Sequence, residues 1–174
     1  MQNAPVTIEP VSDANTEAAV RFLMNWVSDG EAAARTYLAA HGGTGGASLL
    51  GVRDGEAVGI VSLLWVSNYA GFAGRGIPLV HQVAVAGPAR RAGIGARLLA
   101  AAEDLARGHG ATELGITVGL FDEYGPAQRL YARRGYLPDG RGACLGPRPL
   151  RRGEDVSMDH GVILWLTKDL GSAH

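Results

Sequence analysis

The stretch HQVAVAGPARRAGIGARLL, His81 to Leu99, passes from alternating apolar residues through two arginines and two glycines into a helical repeat. Its first part reads as a strand and its last part as the start of a helix. Glycine near a first helical turn gives up propensity, so the backbone must be doing something there that other residues cannot. The first four N–H groups of a helix have no partner within it, and the helix dipole adds partial positive charge at the same end. Such a terminus is a ready anion site, for phosphate above all. Gly93 and Gly95 carry no Cβ, which lets an anion approach the main chain, and Arg90 and Arg91 add charge-assisted donors at the rim. A dinucleotide fingerprint would need a third glycine where Leu98 stands, and the Gly-Lys-Ser/Thr of a phosphate-binding P-loop is absent from the chain.

Working outward, Val6 to Pro10 reads as a strand. The segment DANTEAAVRFLMNWV reads as an amphipathic helix with Ala18, Phe22 and Trp26 on one face, capped near Asp13 or Asn15. A shorter helix follows in DGEAAARTYLAAHGG, and AHGGTGGAS (40–48) breaks the helical front from a strand-rich middle. Two apolar runs joined at Asp54-Gly55 predict a hairpin. After the opening stretch, Ile94, Leu98, Ala101 or Ala102, and Leu105 form the inner stripe of a helix, with Arg97, Glu103, Asp104 and Arg107 turned elsewhere. ELGITVGL alternates as a strand, GPAQRLYARRG is a short helix with Pro126 in its first turn, and GVILWLTKDL is a closing strand. Strands that alternate with helices in this order predict one α/β domain over 1–174 with a mixed sheet.

Composition narrows the function. The chain has 174 residues, 47% of them apolar, and a net charge of −1. No apolar run approaches the roughly 20 residues needed to span a bilayer. A soluble, globular, cytoplasmic protein is expected, because the first residues lack the basic and apolar regions of a secretory signal. Neither nucleic acid nor an anionic membrane is an expected partner at this charge, so any anion site is local. The one cysteine, Cys144, excludes an internal disulfide and a multi-cysteine metal site, and reads as a small apolar filler. No metal is expected. Val162 to Leu166 suit either a core or a homodimer contact.

The segment Val83 to Ala96 resembles the Arg/Gln-x-x-Gly-x-Gly/Ala motif of the GNAT family of N-acetyltransferases, with Arg90, Gly93 and Gly95 at its defining positions. A second segment, AQRLYARRGY from Ala127 to Tyr136, is similar to the family's Ala-x-x-Leu-Tyr-x-x-x-Gly-Phe/Tyr helix. The resemblance implies a GNAT-type fold, with a mixed sheet of about six to seven strands and about four helices. It also implies acetyl-CoA as co-substrate and transfer of its acetyl group to an amine.

The resemblance assigns roles to particular residues. Backbone groups of Val83, Ala84 and Val85 would pair with the pantetheine arm, and an N–H near Val83 would polarise the thioester carbonyl. Arg90 and the loop Arg91, Ala92, Gly93, Ile94, Gly95 and Ala96 would hold the pyrophosphate. Tyr131 stands at the position of a family tyrosine near the CoA sulfur and would protonate the departing thiolate; otherwise it completes a helix face with Ala127 and Leu130. His81 matches a strand histidine of arylalkylamine acetyltransferases and would relay the proton of the attacking amine. Asp122 and Glu123 are the other candidates for that base, and a hydrogen-bonded structural histidine is the plain alternative.

The family often has an asparagine where this chain has Tyr124. Trp65, Tyr69 and Phe72 either wall an acceptor pocket or pack down as part of an ordinary loop. Glu154, Asp155 and Asp159 either attract a cationic amine or form a solvated run. The expected acceptor is a primary amine of a small molecule. Acetylation of a protein lysine or amino terminus is the alternative within the same chemistry, and an acyl-CoA-binding regulator without turnover is the alternative outside it.

Overall fold

In the computed structural model, which describes residues 4–171, the elements follow the chain as β1 (Thr7–Pro10), α1 (Thr16–Trp26), α2 (Glu31–Ala40), β2 (Gly46–Arg53), β3 (Glu56–Leu64), α3 (Ala70–Ala73), β4 (Leu79–Val85), α4 (Ile94–Gly108), β5 (Glu113–Gly119), α5 (Gly125–Arg133), β6 (Leu137–Pro138), β7 (Cys144–Leu145), β8 (Arg148–Pro149) and β9 (Val162–Asp169). One sheet joins the strands in the order β1-β2-β3-β4-β5-β9-β7-β8, with β6 also paired to β9. The pairing is antiparallel except between β4 and β5, which α4 links as a parallel crossover. Six of the strands have at least four residues, as expected from the sequence; the other three are two-residue pieces in a stretch too broken by glycine and proline to show a period.

Local chemistry explains the hairpin. Asp54 and Gly55 take φ of 54° and 79°, the paired positive values of a type I′ turn, whose twist matches the strands on either side. On α1, Ala19, Val20, Phe22 and Leu23 are buried, while Trp26 remains 44% exposed. The buried face is therefore displaced from the expected Ala18-Phe22-Trp26 line. Asn15 is the N-cap, but its side chain turns back to accept from the Ser12 N–H and to donate to Glu9 Oε1 and the Pro10 carbonyl, tying the helix to β1.

On α4 the buried residues are Ile94, Leu98, Leu99, Ala102, Glu103 and Ala106. Glu103 thus corrects the sequence expectation, which turned it outward. Its carboxylate is buried because Arg134 and Lys168 both reach it, at 2.6 and 2.8 Å. Gly59 on β3 explains how closely α4 lies on the sheet, since a Cβ there would stand 2.8 Å from a Leu98 methyl. The main core lies between the sheet and the helices. A smaller cluster of Phe72, Ile77, Leu79, Cys144 and Trp165 covers part of β4, β5 and β9. Cys144 is fully buried within it, as a filler. β9 is flanked by β5 on one side and by β6 and β7 on the other, so Val162 to Leu166 offer no free strand edge to a second copy.

Candidate active site

β4 and β5 pair at only two positions, Leu79 with Gly115 and Val80 with Ile116. Beyond Val80 the strands part, and among the described residues no strand pairs with that side of β4 from His81 to Val85. The result is a wedge whose β4 wall presents backbone N–H and C=O groups to any extended chain that enters it.

At the mouth of the wedge, Arg91 and Gly93 take φ of 64° and 74°. Gly93 is the left-handed N-cap of α4, a conformation that costs an ordinary L-residue roughly 1–2 kcal/mol. The first hydrogen bond of α4 runs from Arg97 N–H to the Gly93 carbonyl, so the N–H groups of Ile94, Gly95 and Ala96 have no acceptor within the helix. Nothing lies within 4 Å of a Cβ built on Gly93, whereas one on Gly95 would face Leu130 of α5 at 3.4 Å. Gly93 is therefore set by backbone conformation, while at Gly95 a Cβ would meet only side-chain ends, in ordinary contact. Arg90 is exposed and donates its Nε to the Val85 carbonyl at 3.2 Å, which places its guanidinium beside the last residue of β4.

The apex of the wedge belongs to His81. Ser62 pairs with Gln82 but Leu63 pairs with Val80, so His81 is the extra residue of a β-bulge. Bulges re-aim side chains. Here the His81 ring turns toward the C-terminal end of α2, where its Nδ1 lies 2.7 Å from Nε2 of the buried His41. The His41 Nδ1 in turn donates to the Tyr37 carbonyl at 2.8 Å, and the Tyr37 ring stacks on His41 with 4.1 Å between centroids. Partial desolvation holds both imidazoles below the ordinary histidine value, and for His81 the proximity of His41 adds to the effect.

Tyr131 lies on α5, next to Leu130, and is 7% exposed. Burial, with a smaller contribution from Tyr124, pushes its hydroxyl up to about 12, so it is a neutral phenol across the physiological range. Asp122 and Glu123 occupy a 3-10 turn after β5 and are both exposed. Tyr124, in the same turn, has its hydroxyl 3.0 Å from His160 Nδ1, and its ring lies over Gly119. Gln128 of α5 donates to the Gly119 carbonyl at 2.8 Å and so caps the end of β5.

The aromatic residues of the long connection pack down. Phe72 is 1% exposed and meets Trp165 edge-on at 5.3 Å, with its ring over Gly115, while Tyr69 lies against Trp165 at 4.3 Å and carries the Arg141 guanidinium on its face. Trp65 stacks instead on His109, at 3.9 Å. Of the acidic residues near the end, Glu154 is paired with Arg148 and Asp159 accepts from the Gly161 N–H in a turn. A hollow of about 490 Å³, lined mainly by α2, β2 and the loop after β1, touches His41, but no β4 or β5 residue lines it.

The residue that sequence reasoning missed is His41. It stands in the glycine-rich break after α2, forty positions from His81, and no short-range pattern links the two.

Residues 13–136 match the family model described as the acetyltransferase (GNAT) family. A search of curated proteins gave no significant sequence match. Among solved structures, the ribosomal-protein-S18-alanine N-acetyltransferase from Escherichia coli superposes with a TM-score of 0.70 at 15% identity, over 98% of this chain and 97% of that one. The IAA acetyltransferase from Bacillus cereus gives 0.64 at 20% identity, over 95% and 99%. A GNAT family acetyltransferase from Elizabethkingia anophelis with acetyl-CoA bound gives 0.62 at 18% identity, over 94% and 97%. At these identities the likeness is one of fold.

Proposed function

This chain belongs to the acetyltransferase (GNAT) family, and from that premise we propose that it transfers the acetyl group of acetyl-CoA to the primary amine of a small molecule. The observation that carries the reading is the wedge, in which β4 leaves β5 after two paired positions with the free N–H groups of α4 at its mouth. The exposed backbone from His81 to Val85 offers strand-like hydrogen bonds to the amides of a pantetheine arm, and the N–H near Val83 a donor to the thioester carbonyl. The turn from Arg91 to Ala96, with Arg90 beside it, offers N–H groups, helix dipole and guanidinium charge to the pyrophosphate.

Two side chains suit the proton transfers. His81, at the apex, takes the proton that a protonated amine must lose before it attacks. Tyr131, kept neutral by burial, donates to the departing thiolate. The Tyr124 ring, half-buried over Gly119 at the parted end of β5, offers an aromatic surface to a small acceptor.

Release of free thiol from acetyl-CoA, followed across a panel of small amines, tests the reading. Acceptor-dependent release is expected. Calorimetric binding of acetyl-CoA with no release for any amine or peptide would leave a binding module in place of an enzyme.

A further inference from the structure

The apex of the wedge holds two histidines, and hydrogen-bond chemistry fixes where their protons sit. The Tyr37 carbonyl can only accept, so the His41 nitrogen 2.8 Å from it, Nδ1, carries a hydrogen. In neutral His41 this leaves Nε2 as a bare acceptor. The nitrogen that faces it at 2.7 Å, His81 Nδ1, must then be the donor. With its hydrogen on Nδ1, neutral His81 has its lone pair on Nε2, at the ring edge away from His41. His81 as a residue is exposed while His41 is 3% exposed, so the bare nitrogen is on the accessible partner.

Stacking, hydrogen bonds and close packing hold the pair from several sides. The Tyr37 ring stacks on His41 at 4.1 Å and the two imidazoles lie nearly parallel, 13° apart with centroids 4.8 Å from each other. Behind them, Ser48 and Ser62 share a hydrogen bond at 2.8 Å, and the Ser48 hydroxyl reaches the His41 carbonyl at 3.4 Å. A Cβ on Gly46 would run into the Leu63 carbonyl and stand 3.3 Å from the His41 Cα, so β2 packs directly on the turn that presents His41.

From this arrangement we infer that His41 is a positioning residue, which locks the ring of His81 and its Nδ1–H tautomer so that Nε2 faces the reacting amine as the proton acceptor. The step balances simply. An N–H bond of the ammonium breaks, an N–H bond forms at His81 Nε2, and the amine keeps the electron pair with which it attacks. The resulting imidazolium still donates its Nδ1–H to His41 and loses the new proton to solvent from its open edge. The consequence for catalysis rests on the acetyl-transfer reading, whereas the tautomer does not.

The experiment combines nitrogen NMR of the full chain labelled with ¹⁵N-histidine and kinetics of three variants. Loss of individual signals in His81→Ala and His41→Leu assigns the pair. His81 in the wild-type protein is expected as the Nδ1–H tautomer, with that preference lost in His41→Leu. His41→Leu is expected to lower kcat roughly ten- to hundred-fold with KM for acetyl-CoA unchanged, as misorientation of a reacting group does. His41→Gln, whose amide oxygen can accept from Nδ1–H, should recover much of the loss.

An Nε2–H tautomer on wild-type His81 would overturn the inference. So would an unchanged kcat in His41→Leu when His81→Ala is impaired, or equal loss in the Leu and Gln variants. Should His81→Ala transfer acetyl groups at the wild-type rate, the assignment of the base falls and the positioning role with it, while the tautomer result still reports whether the pair is bonded as the geometry requires.

Discussion

The carboxylate of Glu103 on α4 receives Nε and Nη2 of Arg134 at 3.0 and 2.6 Å, a two-pronged bond that fixes the end of α5 against the middle of α4. Lys168 of β9 adds a third contact to the same carboxylate at 2.8 Å. Three elements from distant parts of the chain thus meet on one buried acid. Since α5 also bears Tyr131, this junction helps to set the helix that carries the proposed acid.

Glu103→Ala is expected to destabilise the fold by about 1–3 kcal/mol, because it leaves two half-buried cations short of a counter-charge. Burial raises the Glu103 carboxyl, but the bonds from Arg134 and Lys168 outweigh it and the net displacement is downward. A carboxyl held lower in the folded than in the unfolded state contributes stability that is present above the ordinary carboxylate range and lost as pH falls through its folded value. Urea titrations from neutral to acid pH should therefore show the wild type losing more stability than Glu103→Ala; parallel curves would show the junction to be energetically idle.

Gly115→Ala should cost about 1–3 kcal/mol, since a Cβ there runs into the Phe72 ring, which is packed edge-on against Trp165 and cannot swing away. Thermal unfolding reads this directly. An unchanged midpoint would mean that the ring is not held over the strand.

Gly93→Asp separates phosphate binding from folding. Aspartate tolerates the left-handed region better than most residues and is a favoured residue at a helix N-cap, so the fold should survive. Its charge stands where the pyrophosphate is proposed to lie, so affinity for CoA by calorimetry should fall at least tenfold. Full affinity in a folded variant would reduce the turn to a structural feature.

Tyr131→Phe is expected to lower kcat by on the order of 10², the low end for a lost general acid, with little change in CoA affinity. With the hydroxyl pushed up to about 12, wild-type activity should show no alkaline decline from this group below about pH 10. Wild-type turnover in the variant would return Tyr131 to a packing role.

The acid limb of the rate profile offers a check on the base. A neutral imidazole is the active form, and both His41 and His81 are held below their ordinary value by desolvation. The fall in kcat on acidification should then have its midpoint below the roughly 6.5 of a free histidine. A midpoint at or above that value would point to another group.

Features that depend on neighbours along the chain were legible before the fold was known. The Asp54-Gly55 turn, the alternation in β5 and the glycine start of α4 are local, and each appears where the residues place it, because backbone dihedrals and side-chain periodicity are decided within a few positions. The same locality made the motif from Arg90 to Gly95 legible. Features that depend on residues far apart in the chain were not legible until folding brought those residues together. Glu103 reads as an outward charge until Arg134 and Lys168 arrive from 31 and 65 positions away. Tyr69 and Phe72 read as equally suited to a pocket wall or a packed loop until Trp165 lies across them. His41 reads as a residue in a glycine-rich break until a bulge in β4 turns His81 to meet it. A buried charge or an imidazole takes its state from partners that desolvate it and bond to it, and those partners are set by folding rather than by spacing in the chain.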